Sequence, residues 1–237
     1  MGRHFEVRAK AMAATAAKKS AVNMRASKEI YIAAKSGVAD PANNLALRSA
    51  IDKWKGQSVP KDVIDRAIKK AAGGDATNYS SGRYEAFGPG NSFVVVDTLS
   101  DNTNRANIEV RNAITKKGGH MGSVIYNFTE YGVFDFKGDN RDEVEETLIL
   151  GDVDVQEVNA EDGYINVLVS PTDFGKAKDV LTEMGINDFD TAEIKLIAND
   201  YISITDEEDK AKFNQLLDML DECEDVQAVY HNVELDD

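Results

Sequence analysis

The chain of 237 residues holds one cysteine, four prolines, one tryptophan and three histidines. With Cys223 alone, an intrachain disulfide is excluded, which fits a reducing compartment. No stretch reaches the roughly 18 consecutive apolar residues of a membrane-spanning helix, so no membrane partner is expected. His4, His120 and His231 are far apart in sequence and have no cysteine partner, so the inventory assembles no tetrahedral nitrogen–sulfur metal site. No local Ser-His-Asp or Cys-His arrangement suggests a nucleophile. Gly118-Gly119-His120-Met121-Gly122-Ser123 has the composition of a phosphate cradle. It follows a helix pattern and precedes a strand pattern, the reverse of a phosphate loop, and reads as a tight turn. Asp139, Asp142, Glu143, Glu145 and Glu146 lack the spacing and the central glycine of a calcium loop and read as an acidic helix start. Neither a cofactor nor a catalytic residue is expected.

What is present is a division of charge. The net charge of −15 conceals a first third, Met1–Asp75, with 15 Lys and Arg against 7 Asp and Glu. The remainder, Ala76–Asp237, has 12 against 35. A head of +8 therefore adjoins a body of −23, and an account of function starts from that split.

The head reads as three helices. Thr15–Ser36 places Val22, Ala26, Ile30 and Ala33 at helical spacing before a Ser-Gly stop. Asp40-Pro41 offers an N-cap acceptor and a proline at the first helical position, with Leu47, Ala50, Ile51 and Trp54 as the apolar stripe of a helix to about Lys55. Lys61–Ala72 buries Val63, Ile64, Ala67, Ile68 and Ala71 and stops at Gly73-Gly74. Of the 15 basic residues of the head, the candidate nucleic-acid contacts are Arg3, Arg8, Lys10, Lys18, Lys19, Arg25, Lys28, Lys35, Arg48, Lys53, Lys61, Arg66, Lys69 and Lys70. One reading makes them the solvated faces of good helices, with Asp62–Arg66 and Asp65–Lys69 paired one turn apart. The other makes them a phosphate-binding surface, because Lys and Arg supply most non-specific nucleic-acid affinity. The size of the surplus favours the second. No side-chain set is committed to base readout.

In the body, Tyr84–Asn91 reads as a loop, Phe93–Val96 as a buried strand, Asp101–Lys117 as a helix and Val124–Phe128 as a second strand. The rest of that plan recurs at the C-terminal end. Tyr201–Ile204 is a short strand candidate, a helix follows with Phe213, Leu216, Leu217 and Leu220, and Val226–Val233 closes it. Between these halves runs a strand at Gly132–Phe136, a helix at Arg141–Leu150 and strands at Val153–Val158 and Tyr164–Val169. A helix at Pro171–Met184 and a strand at Ala192–Ile197 complete a β-α-β-β-α-β order. The expected class is α+β: an N-terminal three-helix domain followed by two ferredoxin-like, split-βαβ domains, one inserted in the other. The expected boundaries are 1–78 for domain I, 79–129 plus 199–237 for domain II and 130–198 for domain III.

Several segments are similar to one family. They include Asp40–Lys53, Val59–Lys70, Tyr84–Gly90, Asp101–Arg105, Glu109–Arg111, Gly118–Val124 and Asp225–Asn232, in colinear order along the whole chain. The chain resembles the YebC family, in particular its YeeN-like bacterial branch. It departs from the wider family at Gly2–Arg8, which is less basic and lacks a tryptophan. The resemblance implies the same three domains and a cytoplasmic regulator of transcription that binds DNA through the basic head. It also implies a competing role on the ribosome, as a translational activator that relieves stalling at proline runs. Expected partners are DNA or ribosomal RNA, with transcription machinery or basic ribosomal proteins beside them.

Overall fold

The computed structural model describes residues 16–235. They divide into two compact units, 129–197 and 16–128 with 198–235. Among the described residues no helix is long and apolar enough to cross a membrane.

The larger unit begins with α1 (Ala16–Lys35), α2 (Leu45–Gly56) and α3 (Lys61–Ala72). Ile30, Leu47, Trp54 and Ile64 close their shared core, as the apolar spacing requires. The start of α2 departs from the Asp40-Pro41 expectation. Asn44 is the N-cap and accepts from the Leu47 amide, while Asp40 holds the preceding turn through the Ala42 amide and the Asn43 side chain. Asn44 prevails because its amide group also donates to the carbonyls of Ala33 and Val38, joining the end of α1 to the start of α2.

The same unit contains β1 (Ser80–Phe87), β2 (Phe93–Ser100), α4 (Thr103–Lys116) and β3 (His120–Met121), and at the C-terminal end α7 (Glu207–Glu222) and β8 (Val226–His231). The sheet order is β3-β1-β2-β8, so strands distant in sequence lie side by side, with Val96 opposite Val229. Three expectations are corrected here. Tyr84–Phe87 is strand rather than loop, with Tyr84 opposite Val96 and Phe87 opposite Phe93. The hairpin turn is confined to 88–92, where Gly90 (φ +67°) is left-handed. Val124–Phe128 is not a strand as a whole. Glu85 accepts from the amides of Val124 (2.7 Å) and Ile125 (2.8 Å) and from Ser123 Oγ (3.0 Å), so those groups are withdrawn from any ladder. Tyr201–Ile204 contributes only a bridge between Ile202 and Val233.

The second unit carries most of β4 (Phe128–Lys137) and β7 (Thr191–Ala198), and between them α5 (Arg141–Leu150), β5 (Val155–Glu161), β6 (Tyr164–Val169) and α6 (Phe174–Glu183). Its sheet order, β5-β6-β4-β7, is the split-βαβ order, with Phe134 opposite Val167 in an antiparallel pair. Phe134, Phe136, Leu148 and Leu181 fill its core.

Candidate nucleic-acid interface

The basic head is not uniformly free. Three cations of α1 lie on one stripe, at positions 18, 25 and 28 beside buried Ala21, and face the end of α7. Lys18 Nζ is 2.6 Å from Asp218 Oδ1, and that hydrogen bond raises its pKa. Arg25 is buried and donates to the carbonyls of Asp221 (2.8 Å) and Leu220 (3.4 Å), in the last turn of α7. The Leu220 carbonyl also accepts from the Cys223 amide (3.2 Å), and both carbonyls lie at the negative end of the helix dipole, which favours a guanidinium beside them. Lys28 Nζ meets Asp225 Oδ1 (2.6 Å), the Glu224 carbonyl (2.9 Å) and the Leu99 carbonyl (3.2 Å). Three acceptors saturate an ammonium group.

Asp225 is the centre of this arrangement. Its side chain is 1% exposed and accepts from Lys28, from Arg105 (2.8 and 2.9 Å) and from Ser100 Oγ (2.8 Å). Burial pushes the carboxyl up, but the hydrogen bonds from Arg105, Lys28 and Ser100 outweigh it and hold the pKa below the usual value. Arg25 and Lys28, expected as phosphate contacts, thus have their donors turned inward, where they join the head to the sheet beside it.

The other candidates fall into two groups. Lys35 donates to the Asp75 carbonyl, Arg48 to the carbonyls of Pro41 and Ala42, and Lys53 to Glu29, which also accepts from Trp54 Nε1. Arg66 pairs with Asp62 at 2.8 Å on a fully solvated face, and Lys70 with Asp75 at 3.2 Å. Such exposed pairs contribute little and leave the cation available. Asp75 sits at a pKa of about 2, lowered by the hydroxyl and amide of Thr77, with Lys70 adding to it. Lys19, Lys61 and Lys69 are exposed and have no ion pair among the described residues, so the expected Asp65–Lys69 pair is not formed. Lys55, at the end of α2, is equally exposed and uncommitted and was missed, although its charge was counted. Arg3, Arg8 and Lys10 lie outside the described residues. Among the described residues the uncommitted charge of the head is therefore on Lys19, the end of α2 and the outer face of α3.

A family model described as the TACO1/YebC protein N-terminal domain matches residues 3–74, and one described as the TACO1/YebC second and third domain matches 79–233. The chain belongs to the TACO1/YebC family. Full-length relatives of this family member bear the name probable transcriptional regulatory protein. One from Mesoplasma florum is 53% identical, covering 98% of this chain and 99% of its own. Another from Mycoplasma capricolum is 49% identical, covering 99% and 100%. A crystal structure of a conserved hypothetical protein from Aquifex aeolicus has a TM-score of 0.77 at 30% identity, over 94% of this chain and 93% of that one.

Proposed function

We propose that this TACO1/YebC-family chain is a nucleic-acid-binding regulator of gene expression and not an enzyme, contacting DNA phosphates through the uncommitted cations of its head. The observation that carries the reading is that Lys55, Lys61 and Lys69 stay solvated and, among the described residues, unpaired on a chain with 42 acidic side chains. An acid-rich molecule has ample means to neutralise them internally, and a surface left positive attracts a polyanion. The relatives' name, transcriptional regulatory protein, supports the regulatory role. The domain division 1–78, 79–129 with 199–237, and 130–198, and action in the cytoplasm, belong to the same proposal.

A second reading places the head on ribosomal RNA, with the acidic body near basic ribosomal proteins. It is favoured by the seal at Lys18, Arg25 and Lys28, which keeps the head against an acidic unit. A body that cannot be held clear of a long duplex is repelled by it over about 10 Å, whereas a ribosome presents RNA and basic protein together. Sucrose-gradient sedimentation of the native protein separates the two. Co-sedimentation with ribosomal particles, released by high salt, selects ribosomal RNA; protein at the top of the gradient that protects a defined DNA segment selects DNA. Charge reversal at Lys55, Lys61 and Lys69 is expected to abolish whichever binding occurs, and unchanged binding overturns the placement of the face.

A further inference from the structure

The acidic body has its own exception. Residues 102–129 contain one acid, Glu109, in 28 positions, while the body as a whole has 35 in 162. This segment includes α4, the turn after it and β3. Along α4, Asn104, Asn107, Arg111 and Thr115 recur at helical spacing on the side opposite buried Ala106, Val110 and Ala113, and all four are exposed. Other cations of the body in this unit are paired with carboxylates: Arg83 with Asp97, Arg105 of α4 itself with Asp225 and Asp101, and Lys212 with Glu208. Arg111 hydrogen-bonds only to Asn107 of its own helix, at 3.5 Å, among the described residues; Lys116 lies off this face and lines a cavity with Glu109, Glu222 and Glu224. Lys117 donates to Gln215 rather than to a carboxylate. Immediately past the left-handed Gly118 (φ +86°), exposed His120 lies flat on Phe87, with ring centroids 5.0 Å apart and planes 17° apart.

We propose that the outer face of α4 and the turn that follows it form a second nucleic-acid contact surface, which takes an unpaired, single-stranded segment. Cations without carboxylate partners serve phosphates, the asparagine and threonine side chains serve sugar and base edges, and the His120–Phe87 stack offers a ring edge and face to an unpaired base. This surface rests on the reading that the protein binds nucleic acid, and it adds to the head a site on the body where the charge is otherwise of the wrong sign. Glycine at position 119 brings the turn against β1, since a Cβ there would stand 2.6 Å from the Phe87 carbonyl oxygen. His120 is thereby held over the Phe87 ring.

Fluorescence anisotropy of the full chain with a labelled oligouridine, an oligothymidine of the same length and a duplex, each across a salt series, tests it. Arg111→Glu is expected to weaken both single-stranded probes and to reduce the salt slope by about 0.7, the value for one phosphate contact on a single strand. His120→Ala is expected to weaken the single strands about fivefold or more and leave the duplex unchanged. Preference between oligouridine and oligothymidine reports whether the sugar is read. Retained wild-type affinity in Arg111→Glu and His120→Ala, with loss in Lys61→Glu/Lys69→Glu, overturns this surface and leaves the head's role standing. Absence of binding of the unmodified protein to all three probes overturns both. All substituted side chains are exposed, and far-ultraviolet circular dichroism establishes that each variant is folded; Arg111→Gln provides a milder variant with the same expected direction.

Discussion

Lys28 Nζ and Asp225 Oδ1 lie 2.6 Å apart with side chains 6% and 1% exposed, although 197 positions separate them in the chain. A buried pair of this kind brings little net stability over an apolar pair, but removal of one partner leaves an uncompensated charge and costs roughly 3–5 kcal/mol. Arg105 still holds Asp225 when Lys28 is lost. Lys28→Met is therefore expected at the lower end, about 3 kcal/mol, read by urea unfolding. A change under about 0.5 kcal/mol, the size of an ordinary surface substitution, shows the pair to be dispensable.

Arg25 and Lys28 also separate stability from binding. Arg25→Ala and Lys28→Met should lower the unfolding midpoint and leave the salt slope of nucleic-acid binding unaltered, because both cations are consumed internally. Lys61→Ala should do the reverse, with stability unchanged and the slope lower by about 0.7–0.9. Isothermal binding at three salt concentrations distinguishes them. A lowered slope in folded Lys28→Met would return that lysine to the interface.

Acid should loosen the seal between head and sheet. Asp225 is held below its ordinary pKa, and Asp75 is at about 2. Such carboxyls bind fewer protons folded than unfolded, so their contribution is in place above about pH 4 and disappears as pH falls through the folded value. The melting temperature is expected to be flat from these two groups above pH 5 and to fall between about pH 4 and 2. Asp75→Asn should flatten part of that fall in a pH series of thermal melts, and an unchanged profile would remove Asp75 from it.

Cys223 should be a poor nucleophile. Burial pushes its thiol to about 11, with the nearby carboxylate of Glu109 adding to the rise and Arg25 opposing it. At pH 8 roughly one thiol in a thousand is ionised at that pKa, against about a quarter for a free cysteine. Alkylation in the folded protein should therefore be slower by two orders of magnitude or more than in urea. Equal rates would show that the end of α7 opens readily.

Asn44 combines a helix cap with a chain clasp. Asn44→Ala should cost about 2 kcal/mol, the upper range for a lost cap, because the donors to Ala33 and Val38 go with it. Asn44→Asp keeps the acceptor for the Leu47 amide and loses the donors, so it should fall between Asn44→Ala and the unmodified protein in the same unfolding measurement.

Much of this was legible locally. The stripes of α2 and α3, the order of the inner β-α-β-β-α-β unit and the stop at Gly73 follow from spacing, caps and breakers, which act within a turn or two of chain. The misses share a cause. Glycine and proline in 88–90 made Tyr84–Phe87 look like part of the loop, but pairing with Phe93–Val96 outweighed local signals. The amides of Val124 and Ile125 were lost to Glu85, about forty residues away, which no local pattern reveals.

The basic head shows the same boundary between local and long-range information. Composition alone determined that the first third of the chain is positive and the rest negative, because charge is a property of residues wherever they lie. Which cations remain for a partner was decided by tertiary structure. A lysine becomes a buried tie or a solvated contact according to the carbonyls and carboxylates the fold brings within 3 Å. For Arg25 and Lys28 those acceptors are up to 197 residues distant, in the last turn of α7, in the link from α7 to β8 and in β2. For Lys61 and Lys69 the fold brings none among the described residues, and the charge still faces water.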